Sequence, residues 1–433
     1  MDAMALHPSY EAVCGELDLR RRIALGFERI EALLKLLGDP HRSLRVVQVV
    51  GTNGKGTTAI ALASALEAAG HTTGVYLSPH VLSYTERVML RVRYVSEHKF
   101  ASAMGKTIEV ADANEIPATQ FELLTAGALA MFRDAGLEWA VLEAGLGARH
   151  DATSAAEPEA VVLTNVGLDH TEYLGDTVEE IVEEKLASLQ SDATLILGTN
   201  DPRVVGLARE TVKKVGASLV EHREQEEYRQ AASGVEENTT PDSRLPSPWS
   251  EATYLVRNER LGVRAAEVLL GRALRQDERI GARAAARAVR PPARFEVHEV
   301  RGVPVVVDGG HNPEGLEAAL QAVRAKYGNR ALGVVFGALK EKDVGSMLSI
   351  LEREAHALVL TRPENAERRA LDPEQVEGKY DPRDAGGGKA RVASDAGDAL
   401  RLAVGEMEKV GGMVLVTGSL YTGAGILGWL RGR

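Results

Sequence analysis

The sequence predicts an α/β protein of two domains. The first is an N-terminal phosphate-loop domain with a mostly parallel sheet and helices on both faces; the second is a smaller, C-terminal Rossmann-like α/β domain. Three observations carry this expectation. Val46-Val47-Gln48-Val49-Val50 leads into Gly51-Thr52-Asn53-Gly54-Lys55-Gly56-Thr57-Thr58 and then into the Ala- and Leu-rich stretch Ala59–Ala69, an order that reads as buried strand, glycine turn, helix. Apolar runs then alternate with helical stretches, as in a parallel sheet covered by helices. A second alternation of the same kind begins near Phe295. At 433 residues the chain also exceeds a single typical core.

Leu19–Leu37 carries apolar residues at helical spacing and is stopped by Gly38-Asp39-Pro40. Strand-like runs are Trp139–Leu142, ending at Glu143, Ala160–Thr164, ending at Asn165, and Thr194–Leu197, ending at Gly198. Helices are expected at Glu122–Arg133, Val178–Gln190 and Leu261–Gln276. The polar stretch 223–250 reads as a surface loop or insertion. The first domain is therefore expected over 1–290 and the second over 295–433, with a basic linker at about 283–295 that holds Pro291-Pro292. In the second domain, strands are expected at Val303–Val307, Ala331–Phe336, Ala357–Leu360 and Met413–Val416. Helices are expected at Pro313–Lys326, Val344–Arg353 and Ala396–Val410, and a glycine-rich surface loop at Asp384–Gly388.

Composition excludes several classes. No apolar run approaches the ~20 residues of a membrane span, and Met1–Arg20 lacks the apolar core of a signal peptide. The single cysteine, Cys14, excludes an internal disulfide and a cysteine metal cluster, which suits a reducing cytoplasm. A net charge of −11 argues against broad nucleic-acid binding.

The glycine turn is where chemistry is expected. Backbone N–H groups at a helix start and the positive end of its dipole favour a phosphate. Lys55 adds a point charge, and Thr57 or Thr58 offers a hydroxyl to magnesium. The spacing departs from the usual G-x-x-x-x-G-K-[ST], because Gly56 separates Lys55 from Thr57. In such sheets ligands sit beyond the carboxyl ends of strands, where Thr52, Glu143 and Asn165 stand.

Several ordered motifs together resemble the folylpolyglutamate synthase/dihydrofolate synthase family of ATP-dependent amide ligases, which is related to the muramyl-peptide ligases. They are Gly51–Thr57, Leu77-Ser78-Pro79-His80, Thr119-Gln120-Phe121-Glu122, Glu143–Thr153, Thr164–Gly175, Glu184-Lys185, Pro292–Glu296, Asp308-Gly309-Gly310-His311-Asn312-Pro313 and Gly337–Asp343. The resemblance implies that ATP phosphorylates a folate-type carboxylate, and that the amine of L-glutamate then captures the acyl phosphate. It implies ATP contacts at Gly54, Lys55, Gly56, Thr57, Asn258, Arg294 and Asp308. Magnesium, as two ions, is implied at Thr57, Ser78, Glu143, His170 and Lys185, with Lys185 carbamylated. Lys55, Lys185 and His311 are implied to be catalytic. For substrates it implies Gly26, Phe27, Glu28, Thr119, Gln120, Phe121, Glu122, His150, Asp151 and Ala152 in the first domain, and Ser419 and Tyr421 for glutamate. Read from the residues alone, Phe121 serves stacking or core equally; for Ser419 and Tyr421 a core or capping role stands level with the glutamate pocket. Partners are then small molecules only, with a monomer expected.

Some positions depart from the family pattern. Leu186-Ala187-Ser188 stands where Ala-Gly-Ile is usual, His150 where Leu is common, Gly310 for Ala and Ala293 for Gly, and the residues before Asn258 lack the usual His-Gln. These departures keep two alternatives in view: a related amide ligase with another substrate, and a nucleotide-binding paralogue without catalysis.

Overall fold

The computed structural model describes residues 8–222, 252–364, 366, 369–377 and 390–432. The polar stretch 223–250 and the Asp384–Gly388 loop lie outside the described residues. The chain divides into two compact units, which among described residues comprise 8–222 with 257–290, and 252–256 with 291–432.

The first unit is built on eight strands: β1 Arg45–Val50, β2 Thr73–Tyr76, β3 Val88–Leu90, β4 Arg93–Tyr94, β5 Trp139–Glu143, β6 Ala160–Leu163, β7 Thr194–Leu197 and β8 Ser218–Glu221. Their order is β4-β3-β2-β5-β1-β6-β7-β8, parallel except for the β2–β3 and β3–β4 pairs. Both faces are buried because successive side chains of one strand feed opposite cores. Val47 and Val49 of β1, with Val141 of β5, pack under the helices Lys55–Ala68, Thr253–Leu270 and Gln276–Ala288. Ala140 and Leu142 of β5 face away from these, into the core under Glu97–Ala113 and Gln120–Asp134. Val50 and Leu163 meet Val182 of the helix Val178–Lys185 and Ala208 of the helix Pro202–Val215. The strand order reverses at β1, which lies between β5 and β6. Beyond its carboxyl end is the crevice where doubly wound sheets take their ligands.

The second unit has six strands: β9 Glu296–Val300, β10 Val303–Val307, β11 Leu332–Phe336, β12 Ala357–Leu360, β13 Arg391–Val392 and β14 Met413–Thr417. They run in the order β13-β12-β11-β14-β10-β9, and only the β9–β10 hairpin is antiparallel. Its helices include Pro313–Tyr327, Val344–Glu354, Ala396–Val410 and Leu420–Arg431.

Four expected elements are corrected. The predicted helix Leu19–Leu37 is two helices, Tyr10–Asp18 and Glu28–Leu36, with a non-helical segment between them. Leu19, Ile23 and Leu25 are 81%, 57% and 60% exposed, so their helix-like spacing meets no packing surface. Gly26, at φ +108°, breaks the path. The helix expected to reach Gln190 ends at Lys185. The helix expected over Leu261–Gln276 starts at Thr253 and ends at Leu270, and a new one begins at Gln276. That new helix takes in 283–288, which had been expected to be linker, because Ala282 and Ala286 bury against the helix Lys55–Ala68.

Candidate active site

Gly51–Gly54 turns out of β1 and caps the helix Lys55–Ala68, with Gly54 left-handed at φ +81°. Side chains crowd this turn. A Cβ on Gly51 would stand 1.9 Å from Thr164 Oγ1, and one on Gly54 would stand 2.3 Å from Asn258 Nδ2. The turn is locked to the segment after β6. Asn53 N donates to Asn165 Oδ1 (3.0 Å), and Asn165 Nδ2 donates back to the Asn53 carbonyl (3.0 Å). Thr52 Oγ1 donates to the Gly167 carbonyl (3.1 Å) and accepts from Gly167 N (2.9 Å). Asn165 was singled out only as a strand end; its partnership with Asn53 depends on β6 lying beside β1.

Lys55 Nζ donates to the carbonyls of Gly51 (3.1 Å) and Thr52 (3.2 Å), over its own loop. The glycine that spoils the usual spacing has a tertiary cause. A Cβ on Gly56 would lie 3.1 Å from Glu143 Oε2, so the first helical turn packs on the carboxylate at the end of β5. Glu143 is buried and accepts from Ser78 N at 2.9 Å.

Glu143, Thr57 and Ser78 offer oxygens, the donor type magnesium prefers. No group of three or more His, Cys, Asp or Glu is gathered for a metal among the described residues. That donor set fits an ion that keeps water and phosphate oxygens as most of its ligands. His170 is left-handed (φ +53°), caps the short helix Thr171–Leu174, and lies with Nε2 4.0 Å from Asp169 Oδ2.

Lys185, the last residue of its helix, is 4% exposed and donates to the same Gly51 carbonyl at 3.0 Å. Burial, and next the charge of Lys55, push its pKa down to about 7, against the pull of Asp169 and Glu184. An ordinary surface lysine of this helix would not behave so. The neighbouring Glu184 is tied to Arg149 Nε at 2.5 Å.

The residues predicted to bind the acid substrate divide by role. Thr119 and Glu122 form a capping box for the helix Gln120–Asp134: Glu122 N donates to Thr119 Oγ1, and Thr119 N to Glu122 Oε2. Arg29 Nε also donates to Glu122 (3.0 Å), so that carboxylate has structural partners. Asp151 accepts from the backbone N of Gly145 (2.8 Å), Leu146 (2.9 Å) and Thr153 (3.0 Å), and from Thr153 Oγ1 (2.5 Å). It shapes the turn after β5, and burial raises its pKa. Ala152 is buried. Asp151→Ala is therefore expected to cost about 3 kcal/mol of stability, read from the urea midpoint, because several buried donors lose their acceptor. Gln120 Nε2 donates to Tyr84 OH (2.5 Å). Phe121 packs on Tyr76 with centroids 5.8 Å apart, and Phe27 lies 6.3 Å from the exposed His150 ring. Glu28 folds back on Gly26, where a Cβ would stand 2.5 Å from its Oε2.

In the second unit, Asp308 is buried at the end of β10. It accepts from Phe295 N (2.9 Å), Gly310 N (3.0 Å) and the Tyr254 hydroxyl. Arg294 Nη1 would stand 3.3 Å from a Cβ on Gly309, so it lies along the loop after β10. His311 Nδ1 donates to the Gly309 carbonyl (2.9 Å), which leaves Nε2 as the basic nitrogen of the neutral ring. Asn312 caps the helix Pro313–Tyr327. Ser419 caps the helix Leu420–Arg431, and Tyr421 packs beside Leu339, Ala366 and Ala370.

A phosphate loop at a sheet switch point, in a chain of two α/β units, defines a nucleotide-binding type of fold, and the family matches narrow it to the Mur-ligase class. Residues 49–250 match the Mur ligase middle domain and 293–420 the Mur ligase glutamate ligase domain. The dihydrofolate synthase/folylpolyglutamate synthase of Escherichia coli is 33% identical over 77% of this chain and 76% of its own length. The probable bifunctional folylpolyglutamate synthase/dihydropteroate synthase of Haloferax volcanii is 35% identical over 95% of this chain. The chain spans about half (49%) of that relative. Among solved structures, Mycobacterium tuberculosis folylpolyglutamate synthase complexed with ADP superposes with a TM-score of 0.83 at 26% identity, covering 98% of each chain. A bifunctional folylpolyglutamate synthase/dihydrofolate synthase with Mn, AMPPNP and L-glutamate bound gives 0.79 at 26%, covering 98% of this chain and 100% of that one. The chain belongs to the folylpolyglutamate synthase/dihydrofolate synthase family.

Proposed function

We propose that this chain joins L-glutamate to the carboxylate of dihydropteroate or a reduced folate, consuming ATP and releasing ADP and phosphate. One observation carries the reading: two lysine amines, Lys55 and Lys185, converge on the Gly51 carbonyl, at a loop packed against the Glu143 carboxylate. A carboxylate is a poor acyl donor because oxide would have to leave. Phosphorylation by ATP turns it into an acyl phosphate, which the amine of glutamate attacks. The protein's task is positioning and neutralisation of anions.

Backbone N–H groups of Gly54–Thr57 hold the phosphates, with Asn258 over the turn. Lys55 leaves the loop carbonyls for the terminal phosphoryl oxygens. Thr57, Ser78, Glu143 and His170 would hold the magnesium ions, which supply Lewis-acid polarisation of the phosphoryl group. Lys185, neutral above about pH 7, would bond its Nζ to the carbon of CO₂ and lose a proton to water, giving a carbamate whose oxygen would be a further anionic ligand. In the second domain, proposed as 295–433, Arg294 and Asp308 bind ATP, His311 assists near the reacting atoms, and Ser419 and Tyr421 bind glutamate. Gly26–Glu28, Thr119–Glu122 and His150–Ala152 line the acid's side. The net charge of −11 suits a protein without nucleic-acid partners, and a cytoplasmic monomer is proposed. No described helix is long and apolar enough to cross a membrane.

The test is ADP release, with products read by mass spectrometry. ADP formation is expected only when ATP, a pterin acid and L-glutamate are all present, with a mass gain of one glutamyl residue. Labelled glutamate that never enters a pterin product, in protein that binds ADP, sinks the proposal.

A further inference from the structure

Arg87 closes the 3₁₀ turn Tyr84–Arg87 ahead of β3 and is 6% exposed. Its Nε donates to His80 Nδ1 at 2.8 Å, and its Nη1 to Ser78 Oγ at 3.4 Å. An imidazole nitrogen that accepts this bond carries no proton, so His80 is neutral. Neither partner offsets the guanidinium charge, and no carboxylate lies within ion-pair distance of Arg87 among the described residues. Burying a cation without a counter-ion is costly, and structural arginines are normally paired. No nitrogen of Arg87 is among the fully buried atoms without a partner. Its second Nη makes no well-formed hydrogen bond; the guanidinium also lies beside the buried Tyr76 hydroxyl and keeps only a small part of its surface open.

The surroundings say what the opening faces. Ser78, which takes the Nη1 bond, donates its own N–H to Glu143, and Glu143 borders the first turn of the phosphate-loop helix. The fully buried Tyr76 hydroxyl, at the end of β2, is left without a well-formed hydrogen bond. The phosphates have their own cation in Lys55. A planar fork of donors suits a carboxylate better than a point charge does.

We propose that Arg87 is the anchor for the carboxylate of the acid substrate in the first unit. This rests on the ligase reading above. Glutamate carries the same chemistry, but the glutamate ligase domain match lies in the other unit, at 293–420.

The test compares dihydropteroate with its neutral primary amide by fluorescence titration, with ADP binding as the check on folding. Wild-type protein is expected to prefer the acid. Arg87→Gln is expected to weaken acid binding on the order of 10- to 100-fold, with amide and ADP binding unchanged. Arg87→Lys is expected to lose part of the preference. Arg87→Gln that binds ADP and keeps the full acid-over-amide preference overturns the proposal. So does a loss that falls on the KM for glutamate instead. Should Arg87→Gln not fold, an undiminished preference in Arg87→Lys overturns it. Wild-type protein that binds ADP but no pterin acid sinks the folate reading itself, and the anchor with it.

Discussion

Lys185→Ala is expected to lower turnover on the order of 10²- to 10³-fold, the size of removing a charged group aimed at the reacting centre. Added acetate or formate is expected to restore part of it by supplying the missing carboxylate oxygen. The expectation starts from burial: Lys185 is 4% exposed, and its pKa is pushed down to about 7. At pH 8 most of the amine is therefore neutral and nucleophilic towards CO₂. The same displacement bears on stability. Between about pH 7 and the ordinary lysine value of 10.5, the unfolded chain holds a proton that the folded chain has released. Stability therefore rises with pH across that window, and the cost of this lysine is greatest below it. In CO₂-depleted buffer, Lys185→Met is expected to melt above wild type at pH 6, with the gap closing towards pH 10. A gap that does not change with pH removes the depressed buried amine, and full turnover in Lys185→Ala removes the carbamate role.

Lys55→Met is expected to lower kcat/KM for ATP on the order of 10³-fold, comparable to removing a cation from the transferring phosphoryl group. Lys55 is held over Gly51 and Thr52 by bonds of 3.1 and 3.2 Å, so its ammonium already sits at the mouth of the loop. Lys55→Arg is expected to rescue little, because the turn takes a compact point charge, and a planar fork cannot occupy the same carbonyls. Steady-state kinetics with calorimetry of ADP binding separates the parts. A variant that binds ADP as wild type does and turns over within threefold of it would show that Lys55 is a loop brace only.

Much of the architecture was legible because period and punctuation are local. The runs Val303–Val307, Ala357–Leu360 and Thr194–Leu197 are strands as read, and Ala396–Val410 is a helix as read. The element at 19–37 was misread because spacing alone does not say whether a surface exists to bury it; Leu19, Ile23 and Leu25 find none. At the site, Gly51–Thr57 read as a phosphate loop, but the sequence did not show that Thr119 and Glu122 also close a capping box or that Asp151 also braces its own turn. Thr119, Glu122 and Asp151 carry polar groups that the chain spends on its own turns. Arg87 gave no signal, since an isolated arginine reads as a surface charge until its burial is seen.

By itself the sequence determined the strand–turn–helix order, the two alternating domains and the family, because each is written in neighbouring residues and their order. Only the tertiary structure decided why Gly56 interrupts the loop, why Lys185 gives up its proton readily, and that Arg87 stands buried with no counter-charge among the described residues. Each of these depends on which groups from distant strands approach within a few ångströms, and on how much water is left between them.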